Sequence, residues 1–284
     1  VDDNNSDGHQ DYDISLSATV VTNETNKAVD FDGTNDYVVL PSSINSSISN
    51  NITIEGWFYI TSMPVHTMLV GESFLGDGKI KFSIWNYDQN QLGAGFYDGE
   101  FYKNTSSMPT SNTWIHIAAT YDQQNIITYY DGVEMARSAK TMTLPNGQEE
   151  WRLGRRWDLS DLLDGAMDEV RIWNVARTQA EIQASMNVEL SGSETGLVAY
   201  YKMNDGSGTA LTDSSSNSYT GTLKNMSEAN WVASGVSISA TESVDVAMHN
   251  LDDDTDFTVG VSSSNTTEGT VSPSTITFTE NNWN

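Results

Sequence analysis

Hydrophobic and polar residues alternate along short stretches of this chain, which is the pattern of strands that bury one face. The segment NITIEGWFYI (51–60) has isoleucine or phenylalanine at almost every second position. The segment KIKFSIWN (79–86) repeats the pattern, and Ile80, Phe82 and Ile84 are predicted to face the core. The intervening side chains, predicted to point away from the core, are Lys81, Ser83 and Trp85.

The same alternation recurs in four later segments. The pair Asp131-Gly132 marks a tight hairpin, because such turns need positive φ angles. Thr178 and Glu181 have the spacing of a capping box, which predicts one short helix. Many short strands with turn signals predict an all-β sandwich. The four segments are WIHIAATYD (114–122), IITYYDGVEMARSA (126–139), EEWRLG (149–154) and AMDEVRIWN (166–174).

The composition narrows the range of partners. The 284 residues include 39 acidic and 13 basic ones, and the formal net charge of −26 repels phosphate backbones and anionic membrane surfaces. We therefore expect no nucleic-acid partner. The chain has no cysteine, which excludes disulfides and thiolate metal sites. No apolar run approaches the roughly 18 residues of a transmembrane helix, so we expect no membrane insertion.

Two segments together resemble the signature of a known group of domains. VDFDGTNDYVVLP (29–41) and LDGAMDEVRIWN (163–174) are similar to framework motifs of laminin-G-like and pentraxin-like domains. The resemblance implies a concanavalin-like β-sandwich, or jelly roll, with one short helix over residues 15–235. It also implies a role in binding sugars and cell-surface ligands. Residues 1–14 are polar and acidic and are predicted to be a linker or a disordered lead-in.

The C-terminal segment, residues 236–284, has strand alternation of its own. It resembles the Calx-β-like and cadherin-like repeats of large bacterial surface proteins. We therefore predict a small partial β-sandwich unit here, within a longer multi-domain chain. The alternating apolar residues are Val244, Val246, Phe257, Val259, Val261, Ile276 and Phe278.

Hard oxygen donors are concentrated in one turn that contains Asp32, Asn35 and Asp36, and Ca²⁺ takes six to eight such oxygens. From the residues alone, an Asx turn that caps itself is an equal alternative. The resemblance implies a bound calcium, because related sandwiches commonly carry one that holds loops in place. The metal ligands that it implies are Asp32, Gly33, Asp36 and Asp168. A second, weaker set of candidate ligands lies in the loop that leads into the second motif, and its members are Asp158, Asp161 and Asp164.

Aromatic residues suggest where a ligand would bind, because sugar rings stack on flat indole and phenol surfaces. Trp85 is followed by a stretch dense in tyrosine, residues 86–104. Arg155 and Arg156 fall in the loop that pentraxins use for ligand, although neutralising nearby aspartates is an alternative role for them. The predicted ligand-binding residues are Trp85, Tyr87, Asp88, Tyr97, Tyr102, Arg155, Arg156 and Trp157.

These features predict a non-catalytic, calcium-containing, lectin-like module of a secreted or surface bacterial adhesin or polysaccharide-processing protein. Its expected partners are a glycan or cell-surface ligand and neighbouring domains of the same chain. The main alternative is a structural spacer or protein–protein adhesion module. A glycoside hydrolase or polysaccharide lyase would need two carboxylates across a cleft. The adjacent Asp168 and Glu169 do not suit that role, because neighbouring strand residues point to opposite faces.

Overall fold

The computed structural model describes residues 26–72, 79–88, 91–156 and 161–239, together with the backbone of two strands between residues 257 and 278. The chain divides into two compact units. One unit is Thr25–Ala240, and the other combines Val1–Glu24 with Thr241–Asn284. The predicted boundaries near residues 14 and 235 stay predictions.

The regular secondary structure of the first unit consists mainly of antiparallel strands. Its described residues also include one α-helix, α1 (Gln179–Ser185), and two short 3₁₀ turns, Ser42–Ser47 and Glu228–Asn230. The strands are β1 (Lys27–Asp32), β2 (Tyr37–Leu40), β3 (Ile52–Ser62), β4 (Met68–Glu72), β5 (Lys79–Asp88), β6 (Gln91–Asp98), β7 (Phe101–Ser107), β8 (Trp114–Tyr121), β9 (Asn125–Tyr130), β10 (Val133–Ala139), β11 (Trp151–Leu153), β12 (Asp164–Trp173), β13 (Leu197–Tyr201), β14 (Ala210–Leu211), β15 (Gly221–Lys224) and β16 (Trp231–Ala233).

These strands form two eight-stranded sheets. The first sheet has the order β10-β9-β8-β3-β12-β1-β16, and β13 also pairs with β12. The second sheet has the order β14-β15-β2-β11-β4-β5-β6-β7. One continuous hydrophobic cluster draws side chains from both sheets, for example Phe31 and Phe58 from the first and Phe82 and Leu40 from the second. The predicted all-β sandwich with one short helix is confirmed.

The alternation predicted for residues 51–60 is confirmed, since Ile52, Ile54 and Phe58 all belong to the core. The prediction for β5 is confirmed at Phe82 and Ile84.

At Ile80 the prediction is wrong, because this side chain lies on the opposite face, beside Ser83 and Trp85. A register shift between β5 and β6 from Ile80 to Ser83 is the cause. An irregularity of this kind reverses the face on which the preceding residues project.

Two local predictions about turns and caps are confirmed. Asp131 and Gly132 have φ angles of 46° and 71° and join the paired residues Tyr130 and Val133 in a two-residue hairpin. Thr178 caps α1, with its side chain accepting a hydrogen bond from the Glu181 backbone N–H while the Glu181 carboxylate accepts from the Thr178 N–H. None of the helices in the described ranges has the length and apolar character that a membrane span requires.

Within the second unit the structure describes a strand pair, β17 (Phe257–Gly260) and β18 (Thr275–Phe278). They run antiparallel, with Phe257 paired to Phe278 and Val259 paired to Ile276. The predicted strand character of these two segments is confirmed. The predicted strand residues Val244, Val246 and Val261 lie outside the described residues. The resemblance to Calx-β-like or cadherin-like repeats finds no support and stays a prediction.

Candidate functional site

A hollow on the second sheet, on the face that points away from the core, is built around a row of small residues. Ser83 of β5 is paired with Gly71 of β4 on one side and with Gly95 of β6 on the other. Directly paired residues of antiparallel strands project from the same face, so nothing larger than a serine side chain stands in this row. Glycine is needed there, because a Cβ atom at Gly95 would overlap the carbonyl oxygen of Tyr102.

Larger side chains stand on both sides of this row. Met68 and Trp85, which are cross-strand partners, form one wall. Ile80, Tyr97 and Phe101 form the other, since Tyr97 is paired with both Ile80 and Phe101. The space between them is a cavity of about 280 Å³, which we call the aromatic pocket.

Phe101 lies at the centre of the aromatic group. Its ring centroid is 5.7 Å from that of Trp85 and 4.8 Å from that of Tyr97. The Trp85 indole lies over Gly93, because a Cβ atom at Gly93 would stand 3.2 Å from the indole Cε2. Phe101 is 50% exposed and Trp85 only 8%. The pocket therefore has a buried indole in its wall and an exposed phenyl ring at its mouth.

Polar and charged side chains line the mouth of the aromatic pocket. His66 is exposed, and its backbone has a positive φ of 76°. The guanidinium of Arg156 is 25% exposed and lies 3.7 Å from the carboxylate of Asp161. The ammonium group of Lys103 lies 4.2 Å from the ring centroid of Tyr87, which also lines the pocket. Hydrogen-bonding groups thus stand beside the aromatic rings of the pocket.

Glu72 also lines the pocket, but its carboxylate is held by the protein. Its Oε1 accepts hydrogen bonds from the Asn45 side-chain amide at 2.8 Å and from the Glu149 backbone N–H at 3.0 Å. Its Oε2 accepts from the Lys81 backbone N–H at 2.6 Å. Glu72 is 1% exposed. These bonds give the carboxylate a structural role in joining β4 to the neighbouring loops.

Half of the eight predicted ligand residues lie together in this pocket. The others that line it, such as Phe101, Met68 and His66, are not among the predicted residues. The sequence signal that could have indicated a hollow is the repeated glycine in LGAGF (92–96), next to the aromatic stretch. The four predicted residues that the structure brings together are Trp85, Tyr87, Tyr97 and Arg156.

The remaining predicted ligand residues are placed elsewhere. The Tyr102 ring packs against Phe96, with centroids 5.5 Å apart, and its hydroxyl donates to Glu100 at 2.5 Å. Arg155 is 7% exposed, and its guanidinium lies 4.2 Å from the ring centroid of Tyr37. Asp88 ends β5 and does not line the pocket, and Trp157 lies outside the described residues.

The structure separates the residues that the calcium prediction combined. Asp32 is paired with Asp164 across β1 and β12, and Asp36 accepts a hydrogen bond from the Asp32 backbone N–H at 3.3 Å. Asp168 lies four residues further along β12, which is roughly 13 Å at the usual rise per residue. Its Oδ2 accepts hydrogen bonds from Asn26 and Ser234. Asp168 therefore cannot share one metal shell with Asp32 and Asp36, and the predicted ligand set is corrected here.

The turn at Asp32 has the geometry of the Asx alternative. Its Oδ1 accepts the backbone N–H groups of Thr34 at 2.8 Å and Asn35 at 3.1 Å, and Gly33 has a φ of 69°. Within the described ranges, no three or more acidic or histidine side chains are arranged to hold a metal ion. The residues present do not fit the shell that the resemblance implies, so calcium stays an untested prediction. Of the weaker set, Asp158 lies outside the described residues and Asp161 faces Arg156.

A buried charged network lies on the outer face of the first sheet, apart from the aromatic pocket. The Glu55 carboxylate accepts hydrogen bonds from the Trp173 indole N–H at 2.8 Å and from Arg177 at 2.7 Å. The Glu169 carboxylate accepts from Arg171 at 2.5 Å and from the Tyr200 hydroxyl at 2.6 Å.

The prediction that Asp168 and Glu169 point to opposite faces is wrong, because the pairing of β12 with β3 shifts between Asp168 and Arg171 and Glu169 has a φ of 54°. Met167 and Val170 both belong to the core, so the two carboxylates between them lie on the outer face, where they are 0% and 1% exposed.

The comparison with protein families supports the same architecture. The sequence model of the laminin-G type within the concanavalin A-like lectin/glucanases superfamily matches residues 32–183, more than half of the chain. The chain belongs to the concanavalin A-like lectin/glucanase superfamily. The predicted laminin-G-like resemblance is confirmed over this range. A search among curated proteins found no match.

Solved structures share the sandwich of this superfamily. A protein of Bacteroides ovatus, described as a candidate carbohydrate-binding protein, aligns with a TM-score of 0.56 at 24% identity over 74% of this chain. The alignment covers 64% of that protein, and the likeness concerns the fold.

Two more distant structures have TM-scores below 0.5. The CBM40 of a Ruminococcus gnavus sialidase, bound to α2,3-sialyllactose, has a TM-score of 0.47 at 14% identity, over 56% of this chain and 96% of its own. A pentraxin of Limulus polyphemus has a TM-score of 0.43 at 11% identity, over 57% and 82%.

Proposed function

We propose that this domain is a non-catalytic, lectin-like module that binds a glycan in the aromatic pocket. The observation that carries this proposal is the hollow over Ser83, bounded by the rings of Trp85, Tyr97 and Phe101. Aromatic faces contact the C–H groups of a sugar ring, and a few polar groups fix its orientation. Membership of a lectin-containing superfamily and the fold shared with a candidate carbohydrate-binding protein support the same function.

The polar groups at the mouth suit the hydroxyls of a sugar. His66 supplies ring nitrogens, and Arg156 supplies a planar set of N–H donors. Phe101 is half exposed at the mouth of the pocket, so the affinity of one module for one sugar is expected to be weak. A secreted or surface-anchored multi-domain protein would gain strength by presenting several binding modules to one polysaccharide.

The lining of the pocket supports binding without catalysis. Glycoside hydrolysis uses two carboxyl groups about 5–10 Å apart on either side of the bond that is cleaved. Glu72 is the carboxylate among the described lining residues, and both of its oxygens already accept backbone or amide N–H groups. Its geometry serves the fold, and the described part of the lining has no second carboxyl group to complete a pair.

Replacing Phe101 with alanine tests the proposal. Phe101→Ala removes an exposed ring from the mouth, so we expect glycan affinity to fall about tenfold, the equivalent of one lost stacking contact. The matched control is Met135→Ala, which removes an apolar side chain of similar exposure, 44%, from the edge strand β10 of the other sheet. Binding is measured on a glycan array and by calorimetry. Equal affinities of wild type, F101A and M135A for every glycan would overturn the assignment of this pocket.

A spacer or protein-adhesion role is the second candidate. The edge strand β10 exposes Val133 at 55% and Met135 at 44%, and an edge strand with apolar side chains is a suitable surface for another protein. A double charge substitution, V133K/M135K, would disrupt such an interface and leave the aromatic pocket intact. Loss of cell or protein adhesion in this variant, with unchanged glycan binding, would favour the second role.

A further inference from the structure

We propose that the aromatic pocket selects a single sugar residue that carries a methyl group, either the C6 methyl of a 6-deoxy sugar or the acetyl methyl of an N-acetylated sugar. This inference rests on the proposed glycan-binding function and specifies its ligand. Three features of the pocket carry it: its size, the apolar character of its interior and the position of its polar groups.

The size of the pocket suits one ring. Its volume of about 280 Å³ is just below the roughly 300–1,000 Å³ of small-molecule sites. The row Gly71, Ser83 and Gly95 sets its width, because the walls of Met68–Trp85 and Ile80–Tyr97 stand on either side of that row. A chain of several sugars would extend beyond these walls, so the pocket contacts one residue of the glycan.

The interior of the pocket is apolar. Met68, Ile80 and Trp85 are 4%, 7% and 8% exposed, and all three line the cavity. The Met68 thioether extends over the floor, since a Cβ atom at Gly71 would stand 2.8 Å from its sulfur. Ile80 reaches this face only because of the register shift in β5. The buried walls of the pocket thus include an aliphatic, a thioether and an aromatic side chain.

Among the described lining residues, the polar group between these apolar walls is the Ser83 hydroxyl on the floor. The carboxylate of Glu72 is held by Asn45, Glu149 and Lys81, and the guanidinium of Arg156 is 25% exposed. The Ser83 hydroxyl can bond one polar group of the sugar, but a hydroxymethyl group packed against Met68 or Ile80 would bury its hydroxyl without a partner. Burying a hydroxyl without a partner is unfavourable, whereas burying a methyl group is favourable.

The experiment compares pairs of sugars that differ only at the methyl-bearing position. The 6-deoxy pairs are L-fucose with L-galactose and L-rhamnose with L-mannose, and the N-acyl pair is N-acetylglucosamine with N-formylglucosamine, all as free sugars without a methyl aglycone. Binding to the full chain is measured by calorimetry and by saturation-transfer NMR. We expect one methyl-bearing member to bind at least about fivefold more tightly than its partner, from the burial of one methyl group and the avoided burial of a hydroxyl. The pair that discriminates identifies which of the two methyl sources the pocket takes.

Substitutions at Ile80 connect the preference to the pocket interior. Ile80→Thr puts a hydroxyl group in place of the ethyl branch of the isoleucine side chain, and we expect it to reduce the preference at least about threefold. Ile80→Val is the matched control, since it changes the volume in a similar way and keeps the surface apolar, and the preference should persist.

The outcomes separate the two proposals. Sugars that bind equally with and without the methyl group, with affinity still dependent on Phe101, would overturn the methyl preference and leave the glycan-binding function standing. Absence of binding by every sugar on the array and in the paired series would overturn both. A preference for the methyl-bearing sugar that is unchanged in I80T would show that the wall at Ile80 does not determine it.

Discussion

The imidazole of His116 lies 3.9 Å from the carboxylate of Glu55, and both side chains are almost completely buried in the outer face of the first sheet. The ring is in edge contact with Trp57, with centroids 5.5 Å apart. Burial lowers the pKa of His116 to about 4, against the opposing effect of Glu55 and with further lowering by Arg171 and Arg177. This histidine is therefore neutral in the folded protein at pH values where an exposed histidine is already protonated.

This relationship predicts a loss of stability in mild acid. The pKa of His116 is below its ordinary value of 6.5, so the unfolded chain takes up the proton first as the pH falls. The free energy of unfolding should decrease by about 3 kcal/mol between pH 7 and pH 4 from this group alone, and should not depend on it above pH 7. His116→Gln should flatten that part of the profile in urea unfolding measured at each pH.

The matched control for this experiment is His66→Gln, because His66 is exposed. It should retain the wild-type pH dependence below pH 6.5. A pH profile of H116Q that is parallel to that of the wild type across the acid range would show that His116 does not carry the effect.

The contribution of Asp168 to the free energy of unfolding has the opposite dependence on pH. Burial raises its pKa to about 7, although the hydrogen bonds from Ser234 and Asn26 act to lower it. Because the folded-state pKa is raised, the stabilising contribution of the protonated form is lost as the pH rises from about 4 to about 7. Asp168→Asn keeps an acceptor for Asn26 and Ser234 without the charge. We expect it to raise stability by about 1 kcal/mol at pH 8 and to have little effect at pH 4.

Asp98→Asn is the control for D168N, since Asp98 is 38% exposed and faces Lys79 in a surface ion pair. Exposed pairs contribute little, so D98N should change the melting temperature only slightly at either pH. A D168N variant less stable than the wild type at pH 8 would mean that the carboxylate is needed in its charged form.

Strand alternation in the sequence was enough to predict the sandwich, because burial of one face is a local property of each strand. It places Ile52, Ile54 and Phe58 correctly. It fails at Ile80, since the side that a residue faces also depends on irregular pairing with the neighbouring strand. Such a shift depends on two strands together and has no mark in the β5 segment alone.

The aromatic pocket could be predicted only in part. Trp85, Tyr87 and Tyr97 were indicated by aromatic residues in one stretch of sequence, and the structure brings them together. Met68 comes from β4 and joins them through pairing with Trp85, which the composition of either strand does not show. The calcium ligands were predicted by analogy of motifs, and the register of β1 with β12 separates Asp168 from Asp32.

The calcium prediction is testable at the Asp32 turn. Burial raises the pKa of Asp30, and repulsion from Asp164, Asp36 and Asp32 raises it further, so negative charge is concentrated around this turn. The described side chains do not form a metal shell at this turn, so the outcome is conditional: a divalent cation bound there would offset that repulsion, and millimolar calcium would then raise the melting temperature of the wild type relative to EDTA.

Asp32→Asn should reduce this calcium effect. The control is Asp98→Asn, which leaves the Asp32 turn unchanged and should retain the full effect. A wild-type melting temperature that is the same in calcium and in EDTA would remove calcium from the description of this turn.

The close approach of β6 and β7 beneath the aromatic pocket predicts that two glycines of this hairpin differ in how much stability is lost on substitution by alanine. A Cβ atom at Gly95 would overlap the backbone carbonyl oxygen of Tyr102, whereas one at Gly99 would meet nothing within 4 Å, although Gly99 has a φ of 81°. Gly95→Ala forces two paired strands apart and should lower the free energy of unfolding by about 2–4 kcal/mol. Gly99→Ala has only backbone strain to accommodate and should cost about 1 kcal/mol. Urea unfolding of both variants measures the difference, and equal losses would contradict the close approach of β6 and β7 beneath the pocket.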